Sequence, residues 1–176
     1  MEQNEGGKMY IISNQMLDAK SNNEYLLRLN REQSILEVYK KCKSSKVREE
    51  YPIREDFYES DYTMYELYKE MKCIFGGDGK KMTPRGLFNI YKKSTNEYRS
   101  TYYEGRDYVK FFGYIGIFED YFIHSDLYDD NVTINNYKET EPISKADKHT
   151  AGCIRVTQEE LDWLVENVEV GCVVEV

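Results

Sequence analysis

Apolar and polar residues fall into short blocks whose period changes along the chain. Glu24-Tyr25-Leu26-Leu27-Arg28-Leu29 and Ser34-Ile35-Leu36-Glu37-Val38-Tyr39 are β-rich runs joined by polar Asn30-Arg31-Glu32-Gln33, which predicts a hairpin. Over residues 60 to 75 the spacing shifts. Met64, Leu67, Tyr68 and Met71 recur at i, i+3, i+4, i+7, which predicts an amphipathic helix with Ser60 or Asp61 as N-cap. Gly76-Gly77-Asp78-Gly79 would stop that helix. A phosphate-cradling loop is the other use of such glycines, but no Gly-Lys-Ser/Thr follows in register.

Thr83-Pro84-Arg85-Gly86 predicts a turn into a strand over residues 87 to 91. Residues 108 to 123 are aromatic and β-branched, with Gly113 and Gly116 inside them, and predict core strands with a bulge or bend. Residues 126 to 148 are polar, with Asp129-Asp130-Asn131 and Pro142, and predict a long connection over the surface. Thr157-Gln158-Glu159-Glu160 reads as a capping box that opens a helix. Leu161, Leu164, Val165 and Val168 form its apolar face, Gly171 ends it, and residues 172 to 176 return as a strand. Residues 1 to 21 are expected to be a polar tail or linker containing one short apolar segment, Met9 to Ile12, ahead of a domain over residues 22 to 176.

At 176 residues the chain is long enough to bury a core of its own. No apolar run reaches the roughly 20 residues a spanning helix needs, and residues 1 to 8 carry no secretory h-region. Asp and Glu outnumber Lys and Arg by 32 to 24, for a net charge of −8. That balance repels phosphate backbones, so nucleic acid is not an expected partner. The basic cluster Lys40-Lys41-Cys42-Lys43, with Lys46 and Arg48, reads as a solvated strand end. The 17 tyrosines read as core and edge packing.

Cys42, Cys73, Cys153 and Cys172 are scattered without a C-x-x-C pair, and the histidines are His124 and His149. Zinc-ligand spacing is absent and a disulfide framework is not indicated. Cys153 follows a glycine and precedes Ile-Arg-Val, which offers two readings: a buried structural thiol, or a nucleophile at a strand mouth. A nucleophilic thiol needs a base and backbone amides for the oxyanion. His124 ends the apolar run Tyr121-Phe122-Ile123, where its ring could meet substrate. Gly152 would clear the approach to the amides. Arg155 shares a strand face with Cys153 and could favour the thiolate, hold a substrate carboxylate, or form a surface ion pair.

At these residues the sequence resembles the L,D-transpeptidases, the YkuD domain. His124-Ser125 is similar to the family's first motif, and Thr150-Ala151-Gly152-Cys153-Ile154-Arg155 resembles the second, Ser/Thr-His-Gly-Cys-hydrophobic-Asn/Arg. Thr83-Pro84-Arg85-Gly86-Leu87-Phe88 is similar to the family's T-P-x-G-x-F segment, and the resemblance covers about residues 22 to 176. Two departures stand out. The histidine before Gly-Cys is Ala151 here, with His149 as a nearby substitute that a bulge would have to bring into place. The 25 residues from 125 to 149 make a longer spacer than is usual.

The resemblance implies a mainly β fold with peripheral helices (α+β), a β-sandwich of mixed sheets. It implies Cys153 as nucleophile and His124 as base, with Ser125 orienting His124 through its carbonyl. Gly152 would lie at the oxyanion site, and Thr150, His149 and Arg155 at the substrate. The implied substrates are peptidoglycan stem peptides, joined 3→3, with carbapenem-type compounds as inhibitors and no metal or organic cofactor. An extracytoplasmic location follows, with the export segment absent from this chain. The alternatives are an L,D-carboxypeptidase, a wall-binding module that has lost turnover, and a cytoplasmic enzyme acting on another peptide or amide.

Overall fold

In the computed structural model, residues 7–43, 61–77, 82–101, 103 and 105–176 are described. Ser60, Asp78, Gly79, Lys46 and Arg48, and the tail residues 1 to 6, lie outside them. The expected hairpin is present as β2 (Tyr25–Asn30) and β3 (Ile35–Lys41), paired antiparallel. Its odd and even positions separate cleanly: Leu27, Leu29, Leu36 and Val38 enter the main core, while Leu26 and Tyr39 face a second apolar cluster.

The helix expected over residues 60 to 75 is instead a strand, β4 (Tyr62–Lys72), set between β3 and β1 (Met9–Ser13). Its pairing with β3 slips between Val38 and Tyr39, where Lys69 and Leu67 are the partners and Tyr68 is the extra residue. That bulge flips the strand. Tyr65 and Leu67 face the outer cluster before it, and Met71 and Cys73 face the main core after it. A one-residue phase shift in an alternating strand produces the 3–4 spacing that imitates a helix. Gly76 and Gly77 terminate no helix: Gly76 pairs alongside Thr150, and its amide donates to Thr83 Oγ1 at 2.8 Å.

The Pro-Gly turn leads into β5 (Leu87–Asn89), as expected, and a polar edge strand that the apolar pattern did not reveal follows as β6 (Lys92–Ser100). The aromatic run forms β7 (Val109–Phe118) and β8 (Tyr121–His124). Opposite Gly113, at φ +84°, the β6 pairing shifts register. The polar connection is not a loose surface loop. It contains β9 (Tyr128–Asp129), paired to β7, and its Tyr128, Val132 and Tyr137 are buried, with Tyr137 stacked on Phe112 at 4.3 Å.

The chain closes with β10 (Ile154–Arg155), α1 (Gln158–Asn167) and β11 (Val173–Glu175). Thr157 Oγ1 caps α1 by accepting from the Glu160 amide at 3.2 Å. Gly171, at φ +99°, turns the chain back, and its missing side chain makes room for Asp18 and Ser21. Two mixed sheets result. One runs β1-β4-β3-β2-β11-β5, with β11 parallel to β2, and the other β10-β8-β7-β6, with β10 parallel to β8. The main core lies between them and under α1, joining Leu27, Val38 and Met71 to Ile115, Ile123, Ile154, Leu161 and Leu164. Among the described residues no helix is long and apolar enough to cross a membrane.

Candidate active site

The parallel pairing of β10 with β8 places Arg155 opposite His124 and Ile154 opposite Ile123. Cys153, one step before β10, therefore lies level with Phe122, whose amide donates to Cys153 Sγ at 3.4 Å. Alternation then puts Phe122 and His124 on one face of β8, and Cys153 and Arg155 on the matching face beside it. All four line one cavity of about 530 Å³, a size suited to a small ligand or peptide segment. Phe111, Tyr98, Tyr103, Glu119, Asp120, Tyr121, Thr150 and Ala151 complete much of the wall.

His124 is 3% exposed and held on two sides. Its ring stacks on Phe111 with centroids 3.9 Å apart and planes 10° apart. Its Nδ1 lies 2.7 Å from the Ser125 carbonyl oxygen, which can only accept, so Nδ1 carries the proton. In the neutral ring Nε2 is left with the free lone pair. Burial, then the Arg155 charge, push the imidazole down to about 3, against the weaker upward pull of the Ser125 carbonyl. His124 is therefore neutral at pH 7.

Cys153 is partly buried, and its Sγ also lies 3.6 Å from the Asp120 carbonyl. Burial pushes the thiol up, while the Phe122 amide and Arg155 pull it back down. The resting pair is a neutral thiol and a neutral imidazole.

Thr150 shapes the turn that presents the sulfur. Its hydroxyl donates to the Cys153 carbonyl at 2.5 Å and accepts from the Gly152 amide at 3.1 Å. The Gly152 amide is thereby engaged. Gly152 has φ +129°, and a Cβ there would sit 2.5 Å from Tyr121 Cε1, so the space it frees is taken by the Tyr121 ring. Ser125 is fully buried, and its hydroxyl has no partner among the described residues. The segment after β4 braces β10 from the other side, through Arg155 N to Ile74 O at 2.9 Å and Thr150 N to Phe75 O at 3.1 Å.

Cys153, His124, Arg155 and Thr150 thus meet in one cavity, whereas His149 does not join them. It is exposed and lies near Gly77. Three participants were not foreseen. Asp120 comes from the turn between β7 and β8 and Tyr121 opens β8, and their nearness to Cys153 depends on the β8–β10 pairing. Asp147 binds Arg155 Nη1 at 3.0 Å from the long connection, a contact no local pattern encodes.

The family model of the L,D-transpeptidase catalytic domain, YkuD, matches residues 56–176. No curated protein matches the sequence. Similar solved structures include the L,D-transpeptidase from Mycobacterium smegmatis, at 14% identity over 86% of this chain and 58% of that one, with a TM-score of 0.53. L,D-transpeptidase 1 of Mycobacterium tuberculosis matches at 12% identity over 86% and 60%, with a TM-score of 0.52. An L,D-transpeptidase in complex with imipenem matches at 12% identity over 86% and 58%, with a TM-score of 0.55. The chain spans about three-fifths of these structures, and at such identities the likeness establishes the shared fold. With the family model covering most of the length, the chain belongs to the YkuD family of L,D-transpeptidase catalytic domains.

Proposed function

We propose that this chain is a cysteine-dependent L,D-transpeptidase acting on peptidoglycan stem peptides outside the cytoplasm. The observation that carries this is the placement of Cys153 and His124 on one cavity wall, with the imidazole Nδ1 fixed to the Ser125 carbonyl and Nε2 left to act as base. Cys153 Sγ attacks the carbonyl between the third residue and the terminal D-amino acid, and its proton passes to His124 Nε2. With the Gly152 amide bound to Thr150, the Cys153 amide is the one of the two left for the oxyanion. Collapse breaks the C–N bond, and the imidazolium returns its proton to the departing amine. The thioester then accepts the side-chain amine of a second stem, whose proton passes to His124 Nε2 and from there to the departing Cys153 thiolate, restoring the thiol. Water in place of that amine gives the carboxypeptidase reaction from the same intermediate. The imipenem complex of a structural relative supports testing carbapenems as acylating probes.

Two features favour a catalytically weakened wall-binding module instead. Ala151 stands where the family has histidine, with His149 outside the cavity, and burial disfavours both charged forms of the reacting pair. Mass spectrometry of muropeptides incubated with the purified protein separates the three outcomes. Dimers joined through the third residues are expected. Tripeptide alone means a carboxypeptidase, and unchanged tetrapeptide with retained binding means the module.

A further inference from the structure

Arg155 is a cation enclosed beside the reacting pair. It is 7% exposed and lines the same cavity as Cys153 and His124. Its Nη1 is fixed to Asp147 Oδ2 at 3.0 Å, and Asp147 Oδ1 accepts from the Tyr103 hydroxyl at 3.1 Å. One end of the guanidinium is therefore anchored. Its Nε is buried and has no acceptor among the described residues.

A charged donor held out of water without an acceptor is costly, and such a group in a ligand cavity marks a place where an acceptor arrives. The planar guanidinium fork matches a carboxylate in shape as well as charge. Field direction agrees with this. Glu119 and Asp120 are exposed and line the cavity on the turn beside Cys153, so an entering anion is repelled there and drawn toward Arg155.

We propose that Arg155 binds a carboxylate of the acyl donor, so that the cavity selects donors by a free carboxylate near the reacting carbonyl, with Asp147 and Tyr103 as positioning residues. This rests on the transferase chemistry proposed above. A tetrapeptide offers two sources: the terminal carboxylate of the leaving amino acid, and a carboxylate on the side chain of a diamino diacid at the third position.

The test follows acylation of Cys153 by intact-protein mass spectrometry, using the full chain and three donors: the free tetrapeptide, its C-terminal carboxamide and its side-chain carboxamide. One of the two amides is expected to acylate more slowly on the order of tenfold to a hundredfold, which identifies the carboxylate read. Arg155→Gln should acylate the free and amidated donors alike. Asp147→Asn should narrow the preference between the free donor and the slower amide, and Asp147→Glu, which keeps the anion, should restore it, which a purely structural role would not do. Equal rates for all three donors with the unaltered protein, or an undiminished preference in Arg155→Gln, overturn this inference alone. Failure of every donor to acylate Cys153 overturns the transferase chemistry and this inference with it.

Discussion

Keeping His124 neutral links the site to folding, and the linkage has a definite sign. The imidazole titrates near 6.5 when the chain is unfolded and, stacked on Phe111 in the folded protein, is pushed down to about 3 by burial and then by the Arg155 charge. Above pH 6.5 neither state binds the proton and nothing is lost. As pH falls below 6.5 the unfolded chain takes up a proton that the native ring refuses, so stability drops until about pH 3. At about 1.4 kcal/mol per pH unit, roughly 2 kcal/mol is lost by pH 5 and about 4 kcal/mol by pH 3. The perturbation is His124→Gln, which removes the titrating group at a pH-independent cost in packing. Urea unfolding of both proteins at pH 7.5, 6 and 5 gives the assay. The two stability curves should converge by about 2 kcal/mol between pH 7.5 and 5. Glu37 also titrates low, because hydrogen bonds from Lys8, Arg28 and Tyr39 outweigh a burial that would raise it. It is common to both proteins and cancels in the difference. Parallel curves would refute the claim that the buried ring resists protonation.

Further outcomes follow from single contacts. Gly152→Ala forces a Cβ against the Tyr121 ring at an unfavourable φ, and should cost on the order of 1–3 kcal/mol in urea unfolding while slowing acylation of Cys153. In the native protein an alkylating thiol probe should reach partly exposed Cys153 before fully buried Cys172, with the rate still climbing above pH 8.5 because burial holds the thiol up; peptide mapping reads the order. Thr157→Ala removes the cap of α1 and should lower stability by about 1 kcal/mol, measured by thermal unfolding.

What the sequence disclosed was what local pattern encodes. The β2–β3 hairpin, the Thr157 cap, the Gly171 turn and the return strand each depend on residues within a few positions of one another. The β4 segment carries helical spacing because Tyr68 shifts its phase, and a bulge is defined by the partner strand rather than by the strand's own residues. Strand β6 escaped notice because an edge strand with polar side chains carries no apolar alternation. At the site, Cys153, His124 and Arg155 could be named from their neighbours in sequence. Tyr121 filling the space over Gly152, and Asp147 anchoring Arg155, arise only when β8, β10 and the long connection come together. The same holds for His149, which is close to Cys153 along the chain yet stands outside the cavity.

The transferase account meets its most direct test in the thioester itself. Purified protein mixed with a donor tetrapeptide and quenched in acid should gain the mass of the tripeptide acyl group, mapped to position 153, and release one free D-amino acid per adduct. Cys153→Ala should gain nothing, and His124→Ala should acylate far more slowly. No adduct on the unaltered protein, or one that persists in Cys153→Ala, would contradict it.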